Sequence, residues 1–251
     1  MVVVCYYVVA MSFVSERRSE LMCTDIRIAV LDSARSRFVT ADVIHGMVEN
    51  RDHKMRGVLL DSIRLPHVER LLSEHPPVRR VNIYKTIDGT VHIDVTQQTP
   101  IVRVINRYGD NFYLDERGEL LKHSNSYSAH VLVANGFVNF RPGNESYNVF
   151  TAEHPAGRRN IMRELFELAT YINDDRFWKA QIQQIYVNEA GEFELVPMVG
   201  AHVILFGIFE NPEAKFSHLK LFYQNGLSVK GWNTYSMLNL KYEGQVVATK
   251  R

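Results

Sequence analysis

The stretch Pro77–Pro100, PVRRVNIYKTIDGTVHIDVTQQTP, decides the fold of the first part of this chain. Val81 and Ile83 alternate with polar neighbours, as do Val91, Ile93 and Val95. A period of two marks strands buried on one side. Asp88-Gly89 between them suits a tight reversal, because glycine adopts positive φ at little cost. The reading is a β-hairpin, and the sequence on either side extends it.

Upstream lie one strand pattern and two helix patterns. Asp25–Asp32 (DIRIAVLD) alternates, with Ile26, Ile28 and Val30 on one face. Thr40 is a good N-cap for a helix over Ala41–Asn50 with Val43, Ile44, Met47 and Val48 on its apolar side. A second helix pattern runs from Asp61 to His75, with Ile63, Val68, Leu71 and Leu72 inward. Pro66 is tolerated there only in a first turn, so the helix begins near it. The order is β-α-α-β-β, that of a small interaction module.

Downstream the pattern changes. Short strand patterns cover Ile101–Ile105, Asn111–Leu114, Glu119–Lys122, Ala129–Ala134, Ile182–Asn188, Phe193–Pro197, Ala201–Gly207, Ser236–Tyr242 and Gln245–Thr249. Gly157–Asp174 is the clearest helix, with Ile161, Leu165, Leu168, Ala169 and Ile172 at helical spacing. Asn211 is placed to cap another over Pro212–Gln224. The fold class expected is α+β: a truncated N-terminal membrane-anchor helix, the β-α-α-β-β module, then a mostly antiparallel β domain with two helices. The boundaries fall at residues 1–22 for anchor and connector, 23–98 for the module and 99–251 for the β domain.

The 251 residues are 46% apolar and carry a formal net charge of +1. That is enough apolar material for a packed core, and the near-neutral balance gives no electrostatic case for nucleic acid. Two cysteines, Cys5 and Cys23, make neither a disulfide framework nor a metal-ligand spacing. Val2–Val14 (VVVCYYVVAMSFV) holds no charge. As a helix its thirteen residues span roughly 20 Å, short of the ~30 Å hydrocarbon core. It is readable as a signal-peptide core, a buried strand, or a membrane anchor that starts before Met1. The first lacks a basic leader and a cleavage site, and the anchor is preferred.

No catalytic or metal constellation appears. No phosphate-binding glycine loop follows a strand, and GxSxG is absent. The ten histidines are scattered, and Glu164 and Glu167 share their helix with Arg158, Arg159 and Arg163, a solvated charged face. No enzyme activity, cofactor, metal or small-molecule substrate is therefore expected.

Taken in order, the apolar anchor, DIRIAVLDSARSRFVTADVI, the hairpin with TPIVRVINRYGDNFYLDERGELL, HVILFGIFENPEAKFSHLKLF and MLNLKYEGQVVATKR resemble the bacterial cell-division family FtsQ/DivIB, in its Bacteroidetes-like form. The resemblance implies a single-pass inner-membrane protein with a POTRA domain and a β domain in the periplasm, enriched at the septum. It implies a non-enzymatic divisome scaffold that binds the FtsB–FtsL pair and helps regulate septal peptidoglycan synthesis. Other divisome proteins would meet the POTRA domain, whose strand Asp25–Asp32 is a candidate edge. The family's FtsB contact maps onto Lys241, Tyr242, Glu243, Gly244, Gln245, Val246 and Val247. An edge strand there suits strand addition, whereas the alternation Leu238, Leu240, Tyr242 allows Tyr242 to be core. Two other readings stand beside this one: a POTRA-type docking module for outer-membrane protein assembly or secretion, and a periplasmic wall hydrolase.

Overall fold

The computed structural model describes residues 21–33, 38–49, 54–75, 77–123, 128–143, 146–155 and 157–251. The apolar stretch read as an anchor lies outside them. Among the described residues no helix is long and apolar enough to cross a membrane. The chain divides into two compact units, Met1–Gln98 and Thr99–Arg251.

The first unit is α+β with the order read from the sequence. Strand β1 is Asp25–Val30, helix α1 Ala41–Val48, helix α2 Leu65–Ser73, β2 Val78–Lys85 and β3 Thr90–Gln97. The sheet order is β1-β3-β2, with β1 parallel and β2 antiparallel to β3. The two helices form the crossover that parallel pairing requires. Val91, Ile93 and Val95 of the central strand are fully buried, together with Ile44 and Val48 of α1 and Leu72 of α2. Val43, read as apolar-face, is exposed, because the burying stripe of this short helix is only as wide as Ile44 and Val48. Thr40 caps α1 as expected, its Oγ1 accepting from the Val43 N–H at 3.4 Å.

Helix α2 starts later than the apolar pattern suggested. Pro66 sits in its first turn, and Leu60–Ser62 forms a separate short turn. Proline lacks an N–H that would be unpaired there anyway. Between β2 and β3 the Thr86 N–H donates to the Thr90 carbonyl at 2.9 Å, and Gly89 takes φ +85°. A Cβ at Gly89 would lie 2.6 Å from the Met22 carbonyl oxygen, so only glycine fits this turn.

The second unit is built on one nine-stranded sheet. Its strands are β4 Pro100–Ile105, β5 Asn111–Asp115, β6 Leu120–Lys122, β7 Leu132–Gly136, β8 Ile182–Val187, β9 Phe193–Pro197, β10 Val203–Gly207, β11 Tyr235–Asn239 and β12 Val247–Lys250. The order is β12-β11-β10-β9-β8-β7-β4-β5-β6. Among the described residues five junctions are antiparallel and three parallel. Helix α3, Ile161–Asp174, lies on the crossover between parallel β7 and β8, and helix α5, Pro212–Phe222, on that between parallel β10 and β11.

A third helix, α4 at Arg176–Gln181, corrects the expectation of two. Asp175, the C-cap of α3, also begins this helix: its Oδ1 accepts from Phe177 N–H at 2.7 Å and Trp178 N–H at 3.1 Å. Helix α3 buries Met162, Leu165, Phe166, Leu168, Ala169 and Ile172. At about 1.5–3 kcal/mol for each large apolar side chain, this face is a principal source of the unit's stability. Helix α5 runs on into a π-turn, Tyr223–Leu227.

Candidate functional site

Strand β12 ends the sheet and, among the described residues, pairs only with β11. Which of its backbone groups are open follows from two bonds. The Leu240 N–H donates to the Leu205 carbonyl, so even-numbered N–H groups of this stretch face β10 and those of Met237 and Asn239 face β12. Their partners are Thr249 and Val247. At the far end the Arg251 N–H donates inward to the Thr234 carbonyl. Antiparallel alternation then leaves the N–H and C=O of Ala248 facing away from the sheet. The opposite margin is different. At β6 the Leu120 N–H already donates to the Tyr147 carbonyl, and Glu119 bridges Asn148.

The candidate contact residues occupy the connection that leads into β12. Strand β11 stops at Asn239, so Lys241–Val246 is a loop and only Val247 is strand. The expected strand over Ser236–Tyr242 is shorter for a local reason. The Asn239 side chain accepts from the Lys241 N–H at 2.9 Å and turns the chain. Leu240 is buried and Val246 packs partly against the core, so both loop ends are pinned. Between them Gly244 takes φ +71°, and Tyr242 is 54% exposed. Tyr242 is therefore not core, although it continues the alternation of Leu238 and Leu240. Lys241, Glu243, Gly244, Gln245 and Val247 are exposed as well.

Beside the loop lies a cleft of about 850 Å³ whose far wall is the β10–α5 connection. No pattern in the sequence pointed to this wall. Lys241 Nζ pairs with both carboxylate oxygens of Glu192 at 2.9 Å, which ties the loop to the β8–β9 turn. That hydrogen bond is the main reason the Glu192 pKa is lowered from the ordinary carboxylate value. Lys215 donates to the carbonyls of Phe206 at 3.0 Å and Ile208 at 2.9 Å and lies over the Phe206 ring. Burial lowers its pKa from the ordinary lysine value. Both lysines thus hold the cleft's own backbone and side chains in place, while Glu210, Glu213 and Glu243 stand on its rim.

Among the described residues no group of three or more His, Cys, Asp or Glu could hold a metal ion. Cys23 is buried, and burial raises its thiol pKa.

The comparisons with known proteins agree with this architecture. A family model described as POTRA-like domain matches residues 21–96. A second, described as FtsQ/DivIB, C-terminal related, matches residues 99–249. No curated protein matches the chain. Its α+β first unit, its sheet-built second unit and a match across more than half its length establish that the chain belongs to the FtsQ/DivIB C-terminal related family and carries a POTRA-like domain ahead of that region.

Proposed function

We propose that this protein is a non-enzymatic divisome scaffold of the bacterial inner membrane. It is held by a single span in the apolar N-terminal stretch, with both described units in the periplasm. Its second unit binds the FtsB–FtsL pair and so helps recruit and regulate septal peptidoglycan synthesis. The POTRA-like unit meets further division proteins, with edge strands β1 and β2 available to them. The observation that carries this reading is the open backbone at Ala248 beside an exposed loop, Lys241–Val246, in a chain of this family.

The mechanism is strand addition. A partner segment pairs with β12, its main chain supplying affinity and its alternate side chains specificity. Tyr242 and Val247 offer apolar surface at the entry to that edge. Confinement to the membrane raises the effective concentration of both partners.

The test is Ala248→Pro in the full chain. Proline removes an N–H that the sheet itself does not use, so the fold is retained while the edge loses a donor. Loss of one main-chain bond, at about 1 kcal/mol, corresponds to roughly fivefold weaker binding, and the ring's bulk adds to it. Affinity for purified FtsB–FtsL is measured beside the thermal melt. An unchanged melt with weakened binding supports the reading; unchanged binding overturns it.

A further inference from the structure

The end of the first unit where the described chain begins carries an apolar tip beside a basic cleft. Residues 21–24 run along the loop at 57–60. The Leu60 N–H donates to the Leu21 carbonyl at 2.7 Å, Cys23 N–H to Val58 at 2.8 Å, and Met22 bridges Leu59. The Thr24 N–H reaches the Gly89 carbonyl at 2.9 Å, which brings the β2–β3 turn to the same end. Four large apolar side chains are exposed there. Ile87 at the turn is 84% exposed and Met22 54%, and Val58 and Leu59 are exposed too.

Charge borders this tip. One small cleft, lined by Leu21, Lys85 and Ile87, adjoins a larger one lined by Arg64, His67 and Arg70; Lys85 and Asp61 belong to both. Asp61 is the acid on this rim. Asp88 beside Ile87 is turned onto its own turn, its Oδ1 accepting from the Thr90 N–H at 3.1 Å and from the Thr86 hydroxyl. The cations outnumber the outward-facing acids.

We infer that this end of the first unit rests on the membrane surface, with Ile87 and Met22 in the headgroup–acyl boundary and Arg64, Arg70 and Lys85 on lipid phosphates. The occupant follows from where the chain goes. Only six residues, 15–20, separate Leu21 from the uncharged run ending at Val14. Fully extended they reach about 20 Å, so this end cannot stray far from any bilayer that holds the run. An exposed apolar tip with basic neighbours is the composition that binds at such an interface. The inference rests on the anchored topology proposed above.

The experiment uses the full chain in phosphatidylcholine vesicles, with or without phosphatidylglycerol, whose acyl chains are brominated or not. Ile87→Trp is compared with Leu31→Trp, an exposed position beyond the opposite end of β1, with wild-type emission subtracted. Bromine is expected to quench the Ile87→Trp signal and leave Leu31→Trp unchanged. The double variant Arg64→Glu, Arg70→Glu is expected to lose part of that quenching in phosphatidylglycerol vesicles alone. A chain that floats with vesicles after alkaline washing while Ile87→Trp stays unquenched overturns this inference and leaves the anchor standing. A chain that is washed off and unquenched overturns both. Quenching at Ile87 in a chain that salt removes supports the surface contact and overturns the anchor.

Discussion

Lys241 and Glu192, 49 residues apart, meet in a paired contact at 2.9 Å that fixes the loop before β12 against the β8–β9 turn. Both side chains are partly exposed, so the pair adds only about 0.2–1 kcal/mol to stability. Its larger role is to hold the loop in one position. Lys241→Ala is expected to lower the denaturation midpoint slightly and weaken FtsB–FtsL binding more than it weakens the fold. The pH dependence gives a signature. The Glu192 pKa is lower in the folded state, so its stabilising share is present above the ordinary carboxylate value and is lost as pH falls through the lowered one. Urea titrations should therefore show wild type and Lys241→Ala differing at neutral pH and converging in acid.

Gly207 reports on the same loop. It sits at a register shift in β10 with φ +80°, and a Cβ there would lie 3.0 Å from Lys241 Cγ. A left-handed conformation costs a residue with a Cβ about 1–2 kcal/mol. Gly207→Ala should lose about that much in urea unfolding and should also push Lys241 away from Glu192. Combining it with Lys241→Ala should give less than the sum of the two losses in binding, because both act on one contact.

What was legible in the sequence followed from local rules. The Val81–Val95 alternation with Gly89 between its halves specified the first hairpin, and Thr40 specified the start of α1. The apolar spacing of Ile161–Ile172 specified α3. Helix α4 was hidden because six residues carry too few periods to read, and Asp175 closes one helix while opening the next. The three parallel junctions of the second unit's sheet were not readable from alternation, which says which face is buried and nothing of direction. The helices between strands were the available clue, since parallel neighbours need crossovers. The candidate site was half legible. Its loop lies in one short stretch, but Glu192 and Lys215 reach it through the fold alone.

Trp178 shows how much rests on the short helix that the sequence concealed. It is buried against Phe177, Phe216 and Tyr223, with ring centroids 4.8, 5.0 and 5.7 Å away. Helices α4 and α5 and the π-turn thus share one aromatic cluster. Trp178→Ala should cost about 3–5 kcal/mol, read as a lower urea midpoint for the second unit. Trp178→Phe should restore most of it. A loss below 1 kcal/mol would mean the cluster repacks around the gap.

His202, just before β10, makes the stability of the second unit pH-dependent. Its ring is buried, and Nε2 lies 3.0 Å from the Tyr223 hydroxyl. Burial lowers its pKa, with the Trp232 backbone opposing and the Arg251 charge assisting. The unfolded chain therefore takes up a proton first as pH falls. Stability is full above the ordinary histidine value of about 6.5 and declines as pH drops through the lower folded value. His202→Phe keeps a ring in the space but leaves the Tyr223 hydroxyl unpaired, at about 1–3 kcal/mol. The variant should be less stable than wild type at pH 8, and its midpoint should fall less between pH 7 and 5. His75, whose pKa burial also lowers, lies in the first unit and adds its slope to that unit's transition. Parallel slopes for the two proteins would exclude His202 as the source, and denaturant midpoints read across that range decide the matter.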